Sequence, residues 1–330
     1  MLGVQLIEEN NYKLNCLELI LDFLFVYLYN YSVGGIVMYH IITNPISGRK
    51  KNSYKKLKAV FDYLDANKID YKLYESQYYR HPVELAKQIT SENESGDLIV
   101  IGGDGTFNEV LNGVVDFSKW NIGLIPSGSG NDFAGILGLS KKTPVESLKR
   151  ILQRNVKPVD YIKVNDMVCV NVLGTGIDVD VLTNFERHKK LKGSFRYFYS
   201  LLESLCHIKW YEFDVSIDDG PFEHKKGLIV ALCNGRNIGG GIPVCPMACP
   251  SDNMLNFVYI SQVKKITILG KLMQLMSGKI AKIKEAQIVS CKKAVFRDKE
   301  NLVLQIDGNV TGDYNEYRCE IVENGINMYR

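Results

Sequence analysis

The sequence predicts an α/β domain followed by an all-β sandwich. Three observations carry that expectation. Between residues 38 and 155, short apolar runs alternate with stretches whose apolar residues recur at helical spacing. The first, third and fourth of those apolar runs end in turns built from Gly, Ser, Asn and Asp. After about residue 155, strand-like runs follow one another with few helices between them. The expected organisation is an apolar extension at 1–37, an α/β unit at 38–155 and a β-sandwich at 156–312, with the last strand (313–330) a candidate to complete the α/β unit.

The elements follow in order. A strand at 38–43 runs into Asn44-Pro45-Ile46-Ser47-Gly48-Arg49. A helix at about 53–67 carries Leu57, Val60, Phe61 and Leu64 on one face. A strand spans Asp70 to Tyr74, and a helix at about 82–93 opens at Pro82. Leu98-Ile99-Val100-Ile101 is a continuous apolar run of the kind buried on both faces of a parallel sheet. It ends in Gly102-Gly103-Asp104-Gly105-Thr106 ahead of a helix at about 107–115. A strand from Asn121 to Ile125 ends in Pro126-Ser127-Gly128-Ser129-Gly130-Asn131-Asp132. In such folds ligands lie outside the carboxyl ends of the strands, so these three turns are expected to share one crevice. Later strands are read at Tyr161–Val164, Met167–Leu173, Glu212–Ile217, Gly227–Asn234, Met254–Ile260, Ala286–Cys291 and Leu302–Ile306, with helices at about 194–208 and 265–282.

The chain has 330 residues, 46% of them hydrophobic and 23% charged, which excludes wholesale disorder. Its net charge of +3 gives no case for nucleic acid as a partner. Eight cysteines lack CxxC spacing and sit partly in apolar strands, which argues against a disulfide framework or a zinc site. Leu14 to Val37 is strongly apolar but interrupted by Glu18 and Asp22, a poor match to a membrane span or a cleaved signal. The folded unit is expected to begin near Met38.

Gly102-Gly103-Asp104-Gly105-Thr106 is the strongest chemical signal. Glycines let backbone N–H groups approach phosphate oxygens, and a helix start adds partial positive charge. Asp104 can hold Mg2+, a hard cation that takes carboxylate oxygen. The loop is neither a Walker A loop nor a dinucleotide fingerprint, since the residues that complete those patterns are missing.

Taken together, the chain resembles the soluble diacylglycerol kinase family of lipid kinases, which includes sphingosine and ceramide kinases. The resemblance rests on Asn44-Pro45-x-Ser47-Gly48, Gly102-Gly103-Asp104-Gly105-Thr106-x-Asn108-Glu109-Val110 and Pro126-x-Gly128-Ser129-x-Asn131-Asp132-Phe133-Ala134. Further matches are Gly174-x-Gly176-x-Asp178, Gly239-Gly240-Gly241 with Pro250-x-Asp252, and Asp307-Gly308. Gly-Gly-Asp-Gly-Thr also marks NAD kinases and phosphofructokinases, so the α/β unit is expected to be a nucleotide-binding domain of that kind.

The resemblance implies ATP and Mg2+ as cofactors and transfer of the γ-phosphoryl group to a lipid hydroxyl, with diacylglycerol as the expected acceptor and phosphatidic acid as product. It implies nucleotide contacts from Asn44, Pro45, Ile46, Ser47, Gly48, Ser76, Gly103, Asp104, Gly105, Thr106, Phe107, Asn108, Glu109 and Ser129. Asp104 and Asp132 are the candidates for holding Mg-ATP, and Asp307 is the candidate general base. Two departures stand out. The family's Asp-Gly-Glu reads Asp307-Gly308-Asn309, and an amide cannot accept a proton as a carboxylate does. The family's structural Mg2+ loop retains Asp252, with carbonyls at Cys249 and Met254, but its second carboxylate is replaced by Asn256. The alternatives are a weak or inactive nucleotide- or lipid-binding protein, and a kinase of a soluble acceptor such as NAD.

A lipid kinase must reach a membrane surface. Arg187, His188, Lys189, Lys190, Lys192 and Arg196 precede Phe195, Tyr197, Phe198 and Leu201. Lys265, Lys271, Lys279 and Lys282 lie beside Ile268, Leu272, Leu275 and Met276. Both stretches read as candidate interfacial helices. The expected protein is cytoplasmic and peripherally membrane-associated, and an exposed sandwich edge offers a surface for a homodimer.

Overall fold

The computed structural model describes residues 37–44, 51–139, 142–188, 191, 193–207, 209–298 and 302–330. The apolar run before Val37, Pro45 to Arg49, and Lys189, Lys190 and Lys192 lie outside the described residues.

The α/β half is doubly wound. Strands β1 (Tyr39–Thr43), β2 (Tyr71–Glu75), β3 (Gly96–Gly102) and β4 (Trp120–Pro126) are parallel in the order β2-β1-β3-β4. Successive residues of β3 explain its unbroken apolar sequence. Leu98 and Val100 join one core with Ala86 and Ile89 of α2 (His81–Glu92) and Phe107 and Val110 of α3 (Asp104–Leu111). Ile99 and Ile101 join the other with Val60 and Leu64 of α1 (Lys51–Ala66). A strand with period two between two helical layers has no polar face. Two helices lie beyond the sequence expectation: α4 (Asp132–Ile136) is short, and α5 (Pro144–Leu152) is started by a capping box between Thr143 and Glu146.

The second half begins with β5 (Val156–Val164), β6 (Met167–Cys169) and β7 (Val172–Gly176), followed by α6 (Ile177–Arg187) and α7 (Gly193–Cys206). Then come β8 (Tyr211–Ile217), β9 (Glu223–Cys233), the short β10 (Asn237–Ile238) and β11 (Ile242–Pro243), and β12 (Leu255–Ser261). Helix α8 (Ile268–Met276) precedes β13 (Ala286–Cys291), β14 (Lys293–Arg297), β15 (Leu304–Ile306), β16 (Asn309–Thr311) and β17 (Glu316–Tyr329). Strand β9 shows how the layers form. Val230 and Leu232 face a core with Phe213, Phe257 and Phe296, whereas Ile229, Ala231 and Cys233 face the side covered by α6, α7 and α8.

Several expectations are corrected. The expected helix at 265–282 is three pieces, with 3-10 turns at Lys265–Thr267 and Ile280–Lys282 around α8. Met167–Leu173 is two strands rather than one, for a reason that belongs to the site. Helix α6 was unread, because its buried Ile177, Val179 and Val181 alternate like a strand. The last strand runs through both halves. Its first residues pair with β14, while Asn327 and Met328 pair in parallel with β4. Strand β5 lines its other edge.

Among the described residues, no helix is long and apolar enough to cross a membrane, and seven cysteines are free.

Candidate active site

The carboxyl ends of β1, β3 and β4 lie side by side, so Asn44 and the turns after β3 and β4 meet. Asn44 Nδ2 lies 3.4 Å from Thr106 Oγ1. The Ser127 amide donates to the Gly102 carbonyl at 2.9 Å. Two glycines make the approach of the second and third turns possible: a Cβ at Gly128 would stand 2.5 Å from the Gly103 Cα. Asn131 holds a left-handed φ of 57° and closes its own turn, accepting from the Gly128 amide at 3.0 Å and donating to the Gly128 carbonyl at 2.9 Å. Phe107 and Phe133 stack at 5.7 Å beneath the two helix starts.

The turns present two carboxylates. Asp104 accepts from the Phe133 amide at 3.3 Å, and a Cβ at Gly130 would lie 3.0 Å from Asp104 Oδ2. Asp132 accepts from the Gly240 amide at 2.8 Å. Gly240 sits at the tip of the β10–β11 hairpin, where Gly239, Gly240 and Gly241 all have positive φ (61°, 83° and 114°). The crevice therefore has a floor from the α/β half and a flap from the sandwich. Burial, and secondarily the charge of Asp104, pushes the Asp132 carboxyl up to about 6. A divalent cation relieves both penalties, and two adjacent carboxylates are the hard-oxygen donors that Mg2+ takes. The residues present fit the ion.

A second constellation lies further along α3. Asp104, Asn108 and Asn112 recur at every fourth position and so share one face. Asn112 mimics a strand edge, donating to the Val168 carbonyl at 3.0 Å and accepting from the Val168 amide at 2.9 Å. Asn108 Nδ2 donates to Val168 O and to Asp307 Oδ2, both at 2.9 Å. Asn309 Nδ2 donates to Asn108 Oδ1 at 3.1 Å. Asp307 and Gly308 have positive φ (48° and 87°), as the two-residue Asp-Gly hairpin between β15 and β16 requires.

This geometry shows what surrounds Asp307. Its Oδ1 accepts from the amides of Asn171 (2.9 Å) and Val172 (3.1 Å) and from the Cys169 thiol (3.2 Å). Its Oδ2 accepts from the Val170 amide (2.8 Å) and Asn108. Burial pushes this carboxyl up, and the donors pull it back toward the charged form. With about four acceptor positions and five donors, no lone pair is left to take a substrate proton. Asp307 brackets the 170–172 amides to α3. The amides it collects also mark the break between β6 and β7: at 170 and 171 the backbone donates to a carboxylate instead of continuing a ladder.

Other sequence expectations sort as follows. The Phe107 ring is core, 1% exposed, so only its backbone faces the crevice. Glu109 faces Arg80 on another side of α3, with its carboxyl raised by burial. Ser129 is exposed at the mouth of the third turn. Ser76 is buried at the end of β2, its amide bonded to Thr43 O at 2.8 Å. The buried hydroxyls of Ser76 and Thr43 have no hydrogen-bond partner among the described residues. In the expected metal loop, Asp252 Oδ1 accepts from the Met254 amide at 3.1 Å, and the Cys249 carbonyl accepts from the Ser251 amide at 2.8 Å. Among the described residues, no three His, Cys, Asp or Glu side chains are grouped to hold a metal. The two hydrogen bonds are internal to the loop. Asn112 and the 170–172 amides were missed by sequence reading. The four-residue polar spacing on α3 was a usable signal for Asn112, whereas the amides carry none.

Replacing Gly128 by alanine should drive the second and third turns apart and lower turnover about 10²-fold, a displacement effect measurable as initial rate with the fold checked by circular dichroism. An unchanged rate would mean that the turns do not need this approach. Asp178, at the start of α6, supplies a different test. Burial raises its carboxyl to about 7. Below about pH 4 both folded and unfolded chains hold this proton. From about pH 4 to 7 the unfolded chain releases it while the folded chain retains it, so stability falls as pH rises, by on the order of 4 kcal/mol in total. Asp178→Asn should remove that component. Urea unfolding from pH 4.5 to 8 should show wild type losing ground to the variant, and parallel curves would refute the burial argument.

An α/β nucleotide crevice closed by a β-sandwich flap over paired carboxylates defines a two-domain kinase-like class. The diacylglycerol kinase catalytic domain profile matches residues 38–164, and the YegS C-terminal NAD kinase beta sandwich-like domain profile matches residues 171–328. The chain belongs to the diacylglycerol kinase family. A protein of Staphylococcus carnosus named "Putative lipid kinase" is 31% identical over 233 residues, covering 68% of this chain and 73% of that protein. A Staphylococcus epidermidis protein with the same name is 34% identical over 191 residues, covering 56% of this chain and 61% of its own length. The crystal structure of a diacylglycerol kinase from Bacillus anthracis shares the fold, with a TM-score of 0.68 at 22% identity, covering 88% of this chain and 96% of that one.

Proposed function

We propose that this protein transfers the γ-phosphoryl group of ATP to the hydroxyl of a lipid alcohol, with diacylglycerol as acceptor and phosphatidic acid as product. The observation that carries the reading is the convergence of two glycine turns and the 239–241 flap on Asp104 and Asp132. Phosphoryl transfer asks a protein chiefly for positioning and charge stabilisation. Backbone N–H groups at the start of α3 face the phosphate position. Asp104 and Asp132 would hold Mg2+, which would supply charge neutralisation at the phosphate oxygens. The Ser129 hydroxyl, and Asn44 with Thr106, flank the nucleotide. Asn108 couples this crevice to the Asp307–Asn309 hairpin, where the acceptor hydroxyl enters. Asn309 orients that hydroxyl but cannot take its proton, so the proton leaves late, to water, in a loose transition state.

The same Asn309 and the engaged Asp307 favour a second reading, nucleotide and lipid binding without turnover. Radiolabelled ATP, with diacylglycerol and other lipid alcohols in mixed micelles and NAD in parallel, separates the readings. Labelled phosphatidic acid supports the kinase. Label on NAD overturns the lipid acceptor, and ATP binding with no labelled product supports the binding protein.

A further inference from the structure

Helix α8 has apolar residues on both sides. Ile268 and Leu275 point inward and are buried with Val244 and, partly, Ile238 and Ile242 of the β10–β11 hairpin. The opposite side should be polar if it faced only water. Instead Leu269, Met273 and Met276 line it at spacings of four and three, 64%, 61% and 44% exposed, and Ile266 just before the helix is 91% exposed. Four large apolar side chains in one stripe exceed the isolated exposures that any surface tolerates.

The stripe has a basic rim. Lys264, Lys265, Lys279, Lys282 and Lys284 are exposed, and none of the five is ion-paired among the described residues. Glu285 is the single acid between residues 262 and 290, and Lys271 holds it in an ion pair. The sequence expectation is thereby corrected in its residues: Ile268 and Leu275 are core, Lys271 is engaged, and the free apolar groups are Ile266, Leu269, Met273 and Met276. In the other candidate, at 187–201, two of the described basic side chains are engaged internally. Arg196 donates to the Phe185 carbonyl at 2.6 Å, and His188 bonds Glu203 at 2.6 Å.

We propose that the outer face of α8, with the turns before and after it, docks onto an anionic lipid bilayer. Charge complementarity chooses this occupant. A second copy meeting the face symmetrically would set lysines against lysines with no acid to answer them. Anionic headgroups answer the lysines, and the acyl boundary takes the apolar stripe. The place of α8 gives the docking a consequence, one that rests on the lipid-acceptor reading above. The helix braces the hairpin whose tip Gly240 bonds Asp132, so a membrane on α8 brings lipid hydroxyls to the edge of the crevice.

The test is sedimentation of the full chain with vesicles of phosphatidylcholine alone or mixed with phosphatidylglycerol, without ATP. Two variants are compared, Leu269→Ser/Met273→Ser and Lys264→Glu/Lys265→Glu, with thermal midpoints confirming that both fold. Binding of wild type to the anionic vesicles should fall as salt rises, and each variant should bind roughly tenfold more weakly or worse. Wild-type binding in both variants overturns the proposal. So does a variant that converts a dimer to a monomer with vesicle binding unchanged, which would assign the face to a second copy. Because sedimentation needs no turnover, a protein that phosphorylates no lipid but loses vesicle binding in both variants keeps the docking face and loses the kinase reading. One that phosphorylates micellar diacylglycerol while its variants bind vesicles normally does the reverse.

Discussion

Alanine at position 307 is expected to destabilise the protein by several kcal/mol, on the order of 3–5, before any effect on turnover is considered. Removing the carboxylate leaves three consecutive amides at 170–172 without an acceptor, together with one bond from Asn108. Each such buried donor costs about 1–3 kcal/mol when unsatisfied, and partial relaxation keeps the sum below the simple total. The same carboxylate ties a sandwich hairpin to β6, β7 and the nucleotide-side helix, so its loss should also loosen the contact between the two halves. Urea denaturation measures the first effect and limited proteolysis the second. Wild-type stability with abolished turnover would restore Asp307 as a general base.

The second large effect is a gain. Asn309→Glu is expected to raise turnover by about 10²–10⁴-fold, the range a positioned general base supplies. The position tolerates the change. Asn309 is half-buried and makes one side-chain bond, to Asn108 Oδ1, which also lies 3.3 Å from Asn112 Nδ2. A glutamate gives up that bond but has an extra methylene with which to reach the acceptor hydroxyl. The readout is the rate in the micelle assay, together with its pH profile, which should acquire an acid limb as the new carboxylate is protonated. No rise would mean that the proton's destination does not limit this protein.

These two positions show how far the sequence was legible. Asp-Gly between two short apolar strands specifies a tight hairpin by local chemistry, and the hairpin is there. That Asn309 departs from the related motif was visible without any structure. That Asp307 is saturated was not, because its donors are backbone amides and every amide looks alike in a sequence. The surroundings of Glu109 were equally hidden. It sits in the most informative motif of the chain, yet a helix turns about 100° per residue, so a position five after Asp104 faces Arg80 rather than the crevice. In α8 Met276 is outward as read, whereas Ile268 and Leu275 are inward, since both faces are apolar and only packing decides which one the core takes.

Strand, glycine turn and helix start succeed one another within about twenty residues, and the residue types along that stretch suffice to specify them. Hence the α/β half, its turns after β3 and β4, and the carboxylates Asp104 and Asp132 in them could be recognised from the chain alone. The flap at Gly240, the bracket at Asp307 and the free face of α8 join residues 108 to 199 positions apart or depend on which side is covered. Such contacts arise only when the sheet order is set, and no local pattern encodes that order.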